Sequence, residues 1–488
     1  MSQLKVKGLV LGPLLFAAVY LTLTNFTDLN GDACKVLATA AWMVTWWVTD
    51  TVHVAVTALV PMVLLPLLGV ITVSEATSSY GNPVIYLFMG GFIIALALEK
   101  HRLHERIALN MIRLTGTSGN GIIAGFTLAT GLISMWISNT ATAIMMLPIA
   151  VSVTQLISDK LGSEGLSQKG YRNFATGLML CIAYASSIGG MATIVGTPPN
   201  VVMVGLYNQR YEEIITFTDW IVIGMPVAIA VLILCYIIIT RVAFPNNLKS
   251  IKGSAAVIRS RLAELGPLSK PERMVLIVFG LTAFSWIFRA YINNFLSLVL
   301  YGGGEGRQVL DDTLIAMTGG LLMFALPTDF RKGEFLLSWD DMKRLPWGIL
   351  ILFGGGLCLA RSLEDSGLIH LVGDAVTAWG EIDVWMLTLA LAGIAMLLTE
   401  LMSNVALTTI FVPVVFGIAD GFGYDPAVLA VPVTLAASCA FCMPISTPPN
   451  AILFASGHIR LIDMLRAGVF LNVLSLITIV ILSLLFVG

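Results

Sequence analysis

The chain has 488 residues, of which 57% are hydrophobic and only 11% charged, with a mean hydropathy of +0.90. Soluble globular chains carry about 25% charge, so this composition excludes an ordinary water-soluble domain and points to a polytopic helical membrane protein. A net charge of −2 leaves no basic footprint for nucleic acid.

Apolar runs long enough to cross a bilayer predict spans near residues 8–27, 35–50, 53–70, 83–99, 174–195, 218–243, 273–296, 312–327, 347–368, 426–445 and 464–487. Lys5 and Lys7 precede a first run too long for a removable signal peptide, with no small-residue cleavage pattern after it, so it reads as an anchored span. Asp50 is expected to cap a helix beginning near Thr51. His53 belongs at a span edge, and His101 and His104 in a charged loop. Two further apolar stretches, 121–156 and 383–419, carry a polar triplet near their middle. Each is too long for one crossing, and two crossings would put a turn deep in hydrocarbon. A re-entrant hairpin resolves this, because irregular backbone is tolerated there only inside protein or beside a wet cavity.

The segment 244–272 is the longest polar stretch and reads as a linker or surface helix. Gly302-Gly303-Gly304-Glu305-Gly306 lacks the ending of a phosphate cradle, and no nucleophile–base set accompanies it, so no enzyme is read here. Gly354-Gly355-Gly356 inside a span predicts close helix approach. Cys439 and Cys442 are spaced by one helical turn and read as packing residues. Glu400 and His458 lie near polar motifs, and Glu400 is expected to face a polar cavity or a packing partner.

One signature occurs twice. Ser138-Asn139-Thr140 and Gly196-Thr197-Pro198-Pro199-Asn200 are answered by Ser403-Asn404-Val405 and Ser446-Thr447-Pro448-Pro449-Asn450. Phe88 answers Phe353, Ser134 answers Thr399, Ser138 answers Ser403 and Pro148 answers Pro413, each 265 positions on, while the Thr-Pro-Pro-Asn pair is 250 apart. A lone polar triplet in a membrane helix is ordinarily an interhelical hydrogen bond. Two copies at matched register instead predict two half-sites of a transporter.

Orientation follows from basic residues. With the N-terminus cytoplasmic and each hairpin returning to its own side, 22 of the 27 Lys and Arg lie inside. The C-terminus then falls outside. The first hairpin enters from the cytoplasm and the second from outside, so the fold class is an all-α polytopic protein with inverted-topology repeats. It has about 11 transmembrane helices plus two hairpins. The expected organisation is 1–82, N-terminal scaffold helices; 83–210, first-repeat elements with hairpin 121–156 and unwound span 196–200; and 211–311, scaffold helices and linker. Residues 312–346 lead into the second repeat, 347–463 hold its hairpin 383–419 and unwound span 446–450, and 464–488 form the C-terminal helix.

The residue types suit an ion-and-anion site. Hydroxyls and carboxamides offer both donors and acceptors. A helix broken at mid-membrane exposes N–H groups for an anion and carbonyls for Na⁺. Consecutive prolines enforce the break.

These paired motifs resemble the divalent-anion:sodium symporters, the family of sodium-coupled dicarboxylate and citrate transporters, over nearly the whole chain. The resemblance implies a homodimer whose protomers each pair a scaffold domain with an elevator-type transport domain. It implies a substrate site at Ser138, Asn139, Thr140, Ser403, Asn404, Val405, Thr447 and Pro448. It implies one Na⁺ site from Ser134, Ser138, Asn139 and Gly196, and another from Thr399, Met402, Asn404 and Ser446. Val405 departs from members with a second threonine there. The expected partners are a C4-dicarboxylate such as succinate, malate or fumarate, with Na⁺ as coupling ion, in the cytoplasmic membrane. Alternatives on the same scaffold are a dicarboxylate exchanger without net Na⁺ coupling, a citrate, sulfate or arsenite carrier, or a binder that does not transport.

Overall fold

The computed structural model describes residues 3–161, 168–211, 213–246, 248, 254–301, 309–377, 380 and 382–487. Apart from a two-stranded antiparallel ladder, Pro327–Asp329 with Glu334–Phe335, the ordered elements are helices. Among the described residues six helices are long and apolar enough to cross a membrane, or seven if one bent pair counts as a span.

The N-terminal group begins with Gln3–Phe26 packed on Gly31–Val48, and the Trp46 indole N–H donates to Gly8 O at 3.1 Å. The run expected as one span over 53–70 is two short helices, Val54–Thr57 and Val60–Leu67. Prolines at 61 and 66 remove donors from that segment. His53, not Asp50, caps it: Asp50 sits at φ 46°, and His53 Nδ1 accepts from the Ala55 N–H at 3.3 Å. Val73–Tyr80 follows, opened by a reciprocal Thr72/Glu75 cap.

These helices pack on Trp347–Asp365. In a bilayer, apolar burial against protein gains little over burial against lipid, so association depends on close approach of backbones. A Cβ at Gly355 would collide with the Ala58 carbonyl, which is the close approach expected of the triple glycine.

Each half then repeats one layout. Pro83–Lys100 leads into the amphipathic Leu103–Leu114, and Trp347–Asp365 into the amphipathic Leu368–Thr377. A hairpin comes next, with arms Gly119–Ser134 and Asn139–Leu161 in the first half and Val384–Thr399 and Asn404–Phe422 in the second. A broken helix closes each half. Gln168–Gly190 resumes at Pro198–Arg210, and Pro426–Ala437 resumes at Pro448–Phe454. The span expected over 426–445 therefore ends early, and Cys439 and Cys442 lie in unwound backbone rather than one turn apart on a helix.

The expected span 273–296 is also interrupted. Lys270–Ile287 and Arg289–Val299 meet at 84°. Phe217–Ile237 packs between the first hairpin, the first broken helix and the C-terminal Leu461–Val487. The aromatic side chains of Phe88, Phe126, Phe174, Tyr184, Phe416 and Phe441 are fully buried in one continuous core around the two broken helices.

Candidate functional site

The two hairpin tips have the same backbone. Each first arm ends at the earlier polar residue, Ser134 or Thr399; four irregular residues follow; and the second arm opens at Asn139 or Asn404. The tips are short because an asparagine opening a helix can turn its side chain back on the chain it has just left.

In the first tip, the Ser134 hydroxyl is buried 2.8 Å from Asn139 Oδ1 and 2.6 Å from the Ser186 carbonyl. In the second, the Thr399 hydroxyl is buried 2.7 Å from Asn404 Oδ1 and 2.6 Å from the Ala437 carbonyl. A hydroxyl has one proton, so each cluster packs three oxygens around a single hydrogen. Crowded acceptors short of protons form a cation-attracting pocket. Gly190 keeps the first pocket open: a point at the place of its missing Cβ lies 2.6 Å from Asn139 Oδ1 and 3.1 Å from Gly196 O. Ser134, Asn139 and Gly196 are thus brought together, as are Thr399 and Asn404.

The remaining expected residues are placed as follows. Ser138 Oγ accepts from the Ala141 N–H at 3.2 Å, capping its own helix, and Thr140 is partly buried in the first turn. Ser403 is exposed and its hydroxyl makes no such cap. Met402 and Val405 are partly buried beside it. Ser446 does not bond directly to Asn404 or Thr399; its hydroxyl donates to Met443 O at 2.7 Å. Thr447 is buried with an unpartnered Oγ1, next to the exposed Pro448 that opens the short helix.

Three side chains outside the expected site residues hold the unwound stretches in place. Asn200, closing the first Thr-Pro-Pro-Asn, donates from Nδ2 toward the carbonyls of Gly190, Met191 and Thr193 at 3.1, 3.4 and 2.8 Å. Asn450 does the same toward Ala440 O at 2.8 Å, Met443 O at 3.2 Å and Ser446 Oγ at 3.3 Å. Both amides stitch an unwound loop that has lost its own ladder, and the 250-residue register of the motif carries through to Gly190/Ala440 and Thr193/Met443. The signal was available in the motif's last letter.

Glu400 is the third. Its carboxylate accepts from the N–H groups of Phe441, Cys442 and Met443 at 2.9, 2.9 and 3.1 Å, and from Asn472 Nδ2 at 2.9 Å. It clamps the second unwound stretch and anchors it to the C-terminal helix. The equivalent residue of the first tip is Met135, whose backbone carbonyl accepts from the Thr193 hydroxyl at 2.6 Å.

The half-sites are joined. Tyr184 donates its hydroxyl to Phe441 O at 2.8 Å, and Cys439 Sγ lies 3.8 Å from Met191 Sδ, so the two unwound stretches touch. Each hairpin also packs on the other half: arm Asn139–Leu161 against Pro448–Phe454, and arm Asn404–Phe422 against Pro198–Arg210. No Lys or Arg occurs in the tips 134–142 and 399–407 or in the unwound stretches 191–200 and 438–450.

Comparison with known proteins agrees with this architecture. A family model described as the sodium:sulfate symporter transmembrane region matches residues 8–487. The chain is 38% identical to the sodium-dependent dicarboxylate transporter SdcS of Staphylococcus saprophyticus over 476 residues, 97% of this chain and 89% of the relative. It is 37% identical to SdcS of Staphylococcus aureus over the same shares. Among solved structures, the YdaH transporter of Alcanivorax borkumensis superposes with a TM-score of 0.51 at 14% identity, covering 85% of this chain and 87% of that one. That likeness concerns the fold alone.

Proposed function

The chain belongs to the sodium:sulfate symporter family of multi-pass membrane transporters, and from that premise we propose that it imports C4-dicarboxylates with Na⁺ across the cytoplasmic membrane. The names of its SdcS relatives support the ion and the substrate class. The observation that carries the reading is the pair of proton-poor oxygen clusters, Ser134–Asn139–Ser186 O and Thr399–Asn404–Ala437 O. Oxygen-only donor sets of hydroxyl, carboxamide and backbone carbonyl suit Na⁺, and neutral ones bind it without fixing it permanently.

Charge supports coupling. A dianion between the tips would meet no cationic side chain from either tip or unwound stretch. Removing one carboxylate from water costs several kcal/mol even after relaxation, and each helix terminus returns only about 0.3–2 kcal/mol. Bound Na⁺ at both clusters offsets the difference, so cations load first and the anion enters a neutralised pocket. Helix starts at Asn139, Asn404 and Pro448, the free Ser403 hydroxyl and the unpartnered Thr447 Oγ1 are the groups assigned to the substrate carboxylates, with Val405 leaving one side of the pocket apolar.

The two halves are assigned opposite orientation, the first hairpin opening to the cytoplasm and the second outward. Both hairpins and both broken helices are assigned to an elevator-type moving unit. We assign Phe217–Ile237 and Leu461–Val487 to that unit as well, because they pack on its hairpins and broken helices. The N-terminal helices and the bent pair Lys270–Tyr301 form the proposed scaffold and homodimer face, the latter exposing Phe284, Tyr291, Phe295 and Leu298.

Uptake of labelled succinate into proteoliposomes, driven by a Na⁺ gradient and compared with choline, tests the reading. Wild type should accumulate succinate with Na⁺ only, and Asn139→Ala and Asn404→Ala should each abolish uptake. Equal uptake in choline would favour exchange and sink sodium coupling. Unlabelled sulfate or citrate outcompeting succinate would reassign the substrate.

A further inference from the structure

Away from the tips, a cavity of about 620 Å³ lies at the junction of three elements: the start of Gln168–Gly190, the end of the π-helical turn Ile238–Ala243, and the start of Leu461–Val487. Lys169, Arg172, Arg460 and Arg466 line it, with Asp463 as the only acid among the described residues. Asp463 is nearly buried and already engaged: Arg460 contacts it at 2.8 Å and Arg172 at 3.7 Å. Lys169 and Arg466 are exposed and make no ion pair among the described residues. Four cations facing one shared carboxylate leave a strong positive excess in a concave site.

The walls fix its geometry. Asn173 Nδ2 donates to Pro245 O at 2.7 Å and the Thr176 hydroxyl to His458 O at 2.8 Å, so all three elements are tied together around the cavity. Val242 at the cavity wall is more than half exposed, as are Ile462 and Phe470 on the same C-terminal helix as Arg466. A charged hollow bordered by lipid-facing apolar surface matches a molecule with an anionic head and acyl tails.

We propose that this cavity binds the phosphate headgroup of an anionic phospholipid of the cytoplasmic leaflet, its chains lying along Val242, Ile462 and Phe470. The sidedness rests on the orientation proposed above. Basic pockets between transmembrane helices on the cytoplasmic side are where such headgroups bind, and Arg adds bidentate geometry to charge. All three walls belong to elements assigned to the moving unit, so a seated lipid would hold that unit's inner end at the membrane interface.

A free phosphate shares the headgroup chemistry, and the test separates the two. Thermal unfolding of the full-length protein in detergent is followed with added phosphatidylglycerol, phosphatidylcholine, sodium phosphate or succinate. Phosphatidylglycerol alone should raise the melting temperature saturably, by several degrees. Lys169→Gln/Arg466→Gln should lose that rise, while Lys332→Gln/Lys343→Gln, at exposed positions remote in sequence from the cavity walls, should keep it. A rise with phosphate or succinate equal to that with phosphatidylglycerol makes this a soluble-anion site and overturns the proposal. So does an equal rise with phosphatidylcholine, or an undiminished one in the first variant. Should that variant not fold, native mass spectrometry of the wild type decides: preferential retention of phosphatidylglycerol supports the site and indifferent retention removes it. None of these readouts involves transport, so a failure of sodium coupling leaves this result standing.

Discussion

Gly190 shows how little room the first oxygen cluster has. A methyl group there would sit 2.6 Å from Asn139 Oδ1 and 3.1 Å from Gly196 O, occupying the volume assigned to the cation. Gly190→Ala should therefore abolish Na⁺-driven uptake while surface expression persists, measured by uptake alongside immunoblotting of membranes. Ser134 and Thr399 were legible in the sequence because two polar residues four positions before a repeated serine stand out in apolar surroundings. The partners they found, Ser186 O and Ala437 O, were not. Backbone carbonyls have no letter of their own, and only the fold shows which ones a hairpin hydroxyl reaches. Glu400 was legible as unusual but not as a clamp, for the same reason: three of its four partners are main-chain N–H groups.

At the level of elements, the hairpins and broken helices could be read from proline pairs and misplaced polar residues. The amphipathic Leu103–Leu114 and Leu368–Thr377 could not be read as spans, since each is too short and too polar on one face to cross. The 84° bend between Lys270–Ile287 and Arg289–Val299 escaped because the run stays apolar through Phe288, and hydropathy does not see direction. An ion pair ties one helix end to a neighbouring loop. Lys100, ending Pro83–Lys100, meets Asp341 at 2.8 Å. Partial burial pushes the Asp341 carboxyl up, but donation from Lys100 and Ser338 holds it below its ordinary value. A carboxyl lowered in the folded state stabilises it above the unfolded value of about 3.9, and that contribution disappears as pH falls through the lower folded value. The pair is partly exposed, so its worth is at most about 1 kcal/mol. Asp341→Asn should lower the melting temperature slightly at neutral pH, a difference that starts to shrink below about pH 4 and vanishes only once pH is under the lowered folded value, followed by intrinsic fluorescence.

For the whole molecule, the proposed inversion makes a sidedness prediction. Thr117 precedes the first hairpin and Asp383 caps the start of the second. In a background with the six native cysteines, all of them buried, Thr117→Cys should react with an impermeant maleimide only in inside-out vesicles. Asp383→Cys should react only in right-side-out ones, and labelling of both from one face would end the inverted arrangement. The repeat is also imperfect in one consequential place. Where the second half carries the Glu400 carboxylate against its unwound backbone, the first has Met135. The two proposed sodium positions, built on one plan, would thus experience different fields, and their affinities should separate, the one beside the acid filling at lower concentration. Uptake against sodium concentration should then resolve two unequal steps, and Glu400→Gln should shift the earlier step toward the later. The duplicated ancestor's equivalence would thereby have become an order of loading.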